Sequence, residues 1–313
     1  MKYQIGSGLV SAKERIILHA QGKHIDVLTV LSDARLTEAL SLHEAKPASL
    51  MQMMQHWPYW RTKLSTFVEY WFNSSEQARQ QSLLKAEDIH WLPPLMYPNK
   101  LICLGANYND HNTEMDNTQP PKFPYCFLKP PTTTLVGSGE TVLLPEYAKL
   151  IDWEVELAVV IGQRVRRVRG EAAMASIAGY SIVNDISARD WVPKEEHSYF
   201  GLDWVMSKGF DGAAPMGPFI TPAEFVQTPQ ALALTLTVNG QVKQHSNTAG
   251  MVFSIQEIIE HLTTIMTLEP GDIIATGTPS GVGYGRKPPE FLRPGDRMVA
   301  EIEGLGRLET EMK

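Results

Sequence analysis

Between residues 152 and 162 the chain reads DWEVELAVVIG, alternating acidic and apolar positions at first and wholly apolar at its end. Successive side chains of a strand point to opposite faces, so Asp152, Glu154 and Glu156 share one face and Trp153, Val155 and Leu157 the other. The apolar end predicts a buried strand. Two environments suit the acidic face. One is a solvated sheet surface; the other is a buried site where a cation offsets desolvation and like-charge repulsion. Further strand-like runs follow from Leu101 onward: LICLG, YCFLK, TVLL, GYSIVND, LALTLTV and RMVAEIE. Asn239-Gly240, between LTLTV and QVKQH, predicts a hairpin turn. Helical periodicity is clearest from Ser254. Ser254 and Glu257 have capping-box spacing, and Ile255, Ile258, Ile259 and Leu262 form one apolar face.

Residues 1–95 are patterned differently. ERIILHAQGKHIDVLTVL predicts strands joined around Gly22, and SLMQMMQHWPYWRTKLSTFVEYWF predicts helices interrupted at Pro58. The methionines and tryptophans of that stretch read as core. Pro93, Pro94 and Pro98 disfavour regular structure and place a linker near residues 92–100. The expected organisation is a small N-terminal α+β domain over 1–95 and a larger, strand-rich α+β domain over 100–313. No internal repeat or low-complexity tract interrupts it.

Composition narrows the function classes. The chain has 313 residues, 43% of them hydrophobic and 20% charged, and a formal charge of −7, as in an ordinary soluble globular protein. The densest basic stretch, RVRRVRG at 164–170, is short and reads as a solvated strand end, so no nucleic-acid partner is expected. Cys103 and Cys126 lie in apolar strand-like runs without CxxC or Cys/His spacing and read as core thiols. The N-terminus MKYQIGSGLVSAKER lacks an apolar core of signal-peptide length. No run approaches the roughly 18 apolar residues of a membrane span. A cytoplasmic protein without a membrane partner is expected.

Familiar catalytic motifs are missing. GTPSGVGYGRK at 277–287 lacks the Gly-Lys-Ser/Thr ending of a phosphate loop, Ser280 is misplaced for a nucleophile elbow, and there is no HExxH. The acidic strand and NDISARD at 184–190, with Asp185 ending an apolar run, offer oxygen donors. Carboxylates converging without His or Cys suit Mg²⁺ or Mn²⁺. In GANYNDHNTEM, His111 and Glu114 are three apart. On a helical turn the carboxylate could orient the imidazole as a general base, although on its own such a pair reads as a surface contact. Lys208, in SKGFDGAAPMGP, reads by itself as a solvated lysine.

The order of the segments says more than any one of them. GANYNDHNTEM, FLKPPTT, DWEVELAVVIG, NDISARDW, SKGFDGAAPMGP, VNGQVKQHSNTAGMVFS and GDIIATGTPSGVG occur in a sequence that resembles the fumarylacetoacetate hydrolase family over about residues 100–313. RKPPEFLRPGD resembles the family's two-domain branch, which includes oxaloacetate-acting enzymes. The resemblance implies a mixed β-roll, a homodimer, and Glu154, Glu156 and Asp185 as ligands of Mg²⁺ or Mn²⁺. It implies that His111 with Glu114 is a proton-moving dyad on a lid, and that Lys208 faces substrate oxygens. Gly277 and Thr278 match a carboxylate-binding turn, Lys129 and Arg189 match polar positions near the pocket, and Asp152 matches no ligand. Two departures stand out: Val192 replaces a glutamine that contacts substrate in relatives, and Ser207-Lys208-Gly209 replaces GKS or GKT. The expected chemistry is a metal-stabilised enolate of a 2-oxo acid. C–C hydrolysis of a 2,4-dioxo acid is the first expectation. Oxaloacetate tautomerisation or decarboxylation is the alternative, followed by hydratase or isomerase action on aromatic-catabolism intermediates. A catalytically silent dicarboxylate-binding protein is the reading from a different class.

Overall fold

The strands that position the site are β1 (Gln4–Val10), β2 (Lys13–Ala20), β3 (Lys23–Asp26), β4 (Leu101–Gly105), β5 (Tyr125–Lys129), β6 (Val155–Ile161) and β7 (Ile177–Asn184). They continue with β8 (Ala233–Val238), β9 (Gln241–Asn247), β10 (Ile273–Ala275), β11 (Arg297–Ile302) and β12 (Gly306–Met312). The helices used below are α1 (Leu50–Gln55), α2 (Trp57–Asn73), α3 (Asn109–Glu114), α4 (Trp204–Lys208) and α5 (Ile255–Ile265). The structure is a computed structural model and describes residues 1–40, 46–116, 119, 121–191 and 203–313. It is a strand-rich α+β fold. Val192 lies outside the described residues.

The largest sheet runs Thr221–Pro222, β7, β6, β10, β4, β5, antiparallel throughout except where β10 lies parallel to β4. It separates two apolar clusters. Val155, Leu157, Val159 and Ile161 of β6 face a core shared with α5 and with a second sheet, ordered β9, β8, β11, β12, Thr141–Val142. Ala158 and Val160 face the other way, into a cluster with Trp57 and Trp60 of α2 and Ile16 and Leu18 of β2. Alternation therefore persists through the apolar run, but both faces meet apolar partners and every residue of β6 is buried.

Residues 1–91 contribute a third sheet, ordered Leu83–Leu84, β3, β2, β1, His90–Trp91. It is stitched to the largest one by reciprocal backbone hydrogen bonds between Ile5 and Ile220, 2.9 and 2.7 Å. A Cβ at Gly162 would lie 2.6 Å from Trp57 Cδ1, so glycine is what lets α2 approach the end of β6. Residues 92–100 form neither helix nor strand, yet Leu95 is fully buried and Pro94 O accepts the Ser7 hydroxyl.

Local signals match their elements where the chemistry is local. β2 and β3 flank Gly22, α1 and α2 meet at His56 with Pro58 in the first turn of α2, and Ser254 and Glu257 close the capping box of α5. Asn239 (φ 51°) and Gly240 (φ 77°) join β8 to β9 in the left-handed conformation a type I′ turn requires. One expectation changes: TVLL is paired as strand only at Thr141–Val142. The basic run follows the end of β6 with its four arginines exposed, as expected, and two of them also reach α5: Arg166 donates to the carbonyls of Thr263, Thr264 and Ile265, and Arg169 to that of Glu260. Arg166 thereby satisfies orphan carbonyls at the C-terminus of α5, where the helix dipole also favours positive charge.

Candidate active site

The acidic face of residues 152–156 is buried. Glu154 and Glu156 lie at the start of β6, and Asp185 directly follows its partner β7. Asp185 N donates to Glu154 O (2.8 Å) and the Asn184 side chain accepts from Glu154 N (2.9 Å), which locks the two strand ends together. One oxygen from each of Glu154, Glu156 and Asp185 lies within 4.8 Å of the others. Three cations meet this triad. Lys208 Nζ bonds Glu154 Oε2 (2.6 Å) and Asp185 Oδ2 (2.8 Å), Arg189 Nη2 bonds Glu154 Oε1, and Lys129 Nζ bonds Asp185 Oδ1.

Burial opposes ionisation of Glu154, but Lys208 and Arg189 together outweigh it and hold its carboxyl at about 2. Glu156 has no such partner. Burial, then the charges of Asp185 and Glu154, push its carboxyl well above the usual range. Its Oε2 accepts from Gly277 N (2.7 Å), whereas its buried Oε1 has no hydrogen-bond partner among the described residues. An orphaned carboxylate oxygen beside two further carboxylates is a donor set that fits a hard divalent cation.

His111 and Glu114 lie on α3, with Nδ1 3.6 Å from Glu114 Oε2, too long for a hydrogen bond. Among the described residues the buried Nδ1 is therefore also unpartnered. Both oxygens of Glu114 accept from Gly281 N at 3.0 Å. The preceding Asp110 accepts from the hydroxyls of Ser246 (3.2 Å) and Ser280 (3.0 Å), so the short helix is held through its acids. His111, Glu154, Glu156, Arg189, Lys208 and Thr278 line one cavity of about 120 Å³. Phe127 and Trp204 form its aromatic wall, stacked with centroids 3.9 Å apart, and Lys208 Nζ lies 5.5 Å from the Phe127 ring.

Three expected substrate contacts have other partners. Lys129 Nζ is surrounded by Asp185 Oδ1, Ala213 O (2.7 Å) and Ile186 O (3.2 Å), which exhausts its three donors and makes it the counter-ion of Asp185. Gly277 N is taken by Glu156. The Thr278 hydroxyl lines the cavity but donates to Val155 O (3.0 Å). Gly209 ends α4, where a Cβ would lie 2.7 Å from Val205 O, so the serine or threonine of the family pattern would not fit this backbone unchanged. Sequence reasoning missed Gln244, fully buried on β9, which accepts from Val155 N (2.9 Å) and donates to Thr278 Oγ1 (2.8 Å) and Pro279 O (2.9 Å). Nothing in the polar run QVKQHSN marks that glutamine as buried.

The family model described as fumarylacetoacetate (FAA) hydrolase C-terminal matches residues 100–313. The chain is 43% identical over 229 residues to bovine (Bos taurus) oxaloacetate tautomerase FAHD2A, mitochondrial, covering 73% of this chain and 71% of that protein. Human (Homo sapiens) oxaloacetate tautomerase FAHD2B, mitochondrial, is 42% identical over the same shares. Among solved structures, fumarylacetoacetate hydrolase from Exiguobacterium antarcticum superposes with a TM-score of 0.77 at 30% identity, covering 100% of this chain and 99% of that one. The 5-carboxymethyl-2-hydroxymuconate delta-isomerase of Mycobacterium smegmatis gives 0.70 at 26% identity, over 99% and 98%. No helix among the described residues is long and apolar enough to cross a membrane.

Proposed function

The chain belongs to the fumarylacetoacetate hydrolase family, and on that premise we propose that it is a divalent-metal-dependent tautomerase of a short 2-oxo dicarboxylate of the oxaloacetate class. The observation that carries this reading is a pair of buried atoms unpartnered among the described residues, Glu156 Oε1 and His111 Nδ1, on two residues that line the same cavity. One suits a cation and the other a proton.

Charge supports a dianionic substrate. Among the described residues, Asp152, Glu154, Glu156 and Asp185 face Lys129, Lys208 and Arg189, so the cluster would be short of one positive charge were all four acids ionised. A divalent ion reverses that sign. Held by Glu154, Glu156 and Asp185, Mg²⁺ or Mn²⁺ would supply Lewis-acid polarisation of the 2-oxo group. His111 would take the proton released from the enol oxygen and deliver it to the adjacent carbon, with Glu114 close enough to stabilise the imidazolium between the two transfers. Lys208, whose three N–H groups turn to Glu154 Oε2, Asp185 Oδ2 and, at 3.4 Å, Asp185 O, would add its positive charge beside the developing enolate, and Arg189 would bind a carboxylate.

Size supports a small substrate. About 120 Å³ lies below the roughly 300 Å³ at which pockets for larger ligands begin. The relatives at 43% and 42% identity are named oxaloacetate tautomerases. Hydrolysis of a 2,4-dioxo acid is the second reading, favoured by the fumarylacetoacetate hydrolase structure that matches the whole chain. The two separate in one assay. Enol-oxaloacetate and an acylpyruvate are supplied in turn to the Mg²⁺-loaded protein, and ketonisation and C–C cleavage are followed. Rapid ketonisation with slow cleavage is expected; ketonisation at the rate in buffer, with rapid cleavage, would overturn the tautomerase reading.

A further inference from the structure

Asp152 has the most completely used carboxylate near the site, yet it is not one of the triad. It is fully buried and accepts four donors: Trp153 N (2.8 Å), Gly283 N (2.6 Å), Tyr284 N (3.0 Å) and Arg189 Nε (2.9 Å). Only an ionised acid can accept from all four without offering a donor of its own. The Arg189 guanidinium is thereby fixed along one edge by Asp152 and at Nη2 by Glu154, and its Nη1 has no partner among the described residues. Tyr284 lies beside it, with its ring centroid 5.9 Å from Arg189 Cζ.

The loop at 281–285 that binds Asp152 also binds the helix carrying His111. Gly281 N donates to both oxygens of Glu114, and Gly281 O accepts from Trp153 Nε1 (3.0 Å). The fit is tight on both sides. A Cβ at Gly283 would lie 2.8 Å from Asp152 Oδ1, and one at Gly285 would lie 2.4 Å from Glu114 Cγ. The loop cannot shift against Asp152 without shifting against α3.

We infer that Asp152 is a positioning residue that couples the substrate-facing edge of Arg189 to the seating of α3, through the loop at 281–285. The inference rests on the reading of Arg189 and His111 as substrate-facing groups. Binding a carboxylate on Arg189 and closing α3 over it are then one event rather than two. A merely structural Asp152 would lower stability and leave both unchanged.

The test uses oxalate with Mg²⁺ as the probe on the full chain, so it does not depend on which reaction is catalysed. Oxalate affinity is measured by calorimetry, and amide exchange of residues 109–114 is measured with oxalate bound. In Asp152→Asn, where the amide brings donors to face Arg189 and the loop, oxalate should bind at least tenfold more weakly and residues 109–114 should lose protection. Unchanged affinity, or weakened affinity with unchanged protection, would overturn the coupling even if the melting temperature falls. Should Asp152→Asn fail to fold, Gly285→Ala presses on the loop from the Glu114 side. It should also weaken oxalate, and unchanged oxalate affinity in that variant would be equally decisive against the inference. Failure of the tautomerase reading shows separately, as absent turnover in the unsubstituted protein.

Discussion

Lys129 illustrates how differently one residue reads in sequence and in space. In FLKPPTT it is an ordinary lysine at a strand end; in the fold its ammonium is buried against Asp185 and two carbonyls. Removing Lys129 leaves Asp185 paired with Lys208 but strips the donor from its buried Oδ1, at a cost of about 1–3 kcal/mol. Lys129→Met should therefore destabilise the protein by that order in denaturant unfolding, and a loss below about 1 kcal/mol would show that Asp185 has other compensation. That Glu154 and Glu156 share one strand face was legible because period-two spacing is a local property; that this face is buried was not. Asp152 shares that spacing, but its partners Gly283 and Tyr284 lie 131 and 132 positions downstream, so its task was not legible. Lys208 and Gln244 were obscured in the same way, since burial of a polar side chain is decided by elements distant in sequence.

At the scale of elements, the cleanest agreement is α5. Its N-terminus carries a reciprocal capping box, with Ser254 accepting from Glu257 N and the Glu257 carboxylate accepting from Ser254 N at 2.8 Å. Ser254→Ala should cost about 1 kcal/mol, measured as a fall in the denaturant midpoint at constant slope. A neutral effect would mean that α5 is held by its buried isoleucine face alone. The C-terminus of α5 was not legible, because its cap, Arg166, comes from a different part of the chain. β1, β10 and β12 were not singled out as strands either. β10 is only three residues long, and β12 buries Leu308, Thr310 and Met312 in an alternation that its charged residues mask.

For the whole molecule, the seam between the N-terminal sheet and the largest sheet includes two histidines. His19 on β2 and His24 on β3 are cross-strand partners with Nδ1 atoms 3.2 Å apart, and both rings stack on Phe219. Burial lowers both pKa values, and burial with the charge of His19 brings His24 to about 4. The unfolded chain, with histidines near 6.5, binds more protons between these values than the folded one. The contribution to stability is thus complete above about pH 6.5 and is lost as pH falls toward 4. The melting temperature should decline across that window, and less steeply in His24→Gln; identical slopes would remove the pair from the acid response.

The proposed tautomerase chemistry needs the buried carboxylate triad and His111, which shares a cavity with Glu154 and Glu156, to act together. Its most direct test follows Mg²⁺-dependent ketonisation of enol-oxaloacetate in the unsubstituted protein, Glu156→Gln and His111→Ala, alongside Mg²⁺ affinity for each. The expected result is that Glu156→Gln loses Mg²⁺ affinity and rate together. His111→Ala should keep Mg²⁺ affinity and lose roughly 10² to 10⁴ in rate, the usual contribution of a positioned acid or base. A His111→Ala variant that ketonises at the unsubstituted rate, or a Glu156→Gln variant that binds Mg²⁺ as tightly as before, would contradict it.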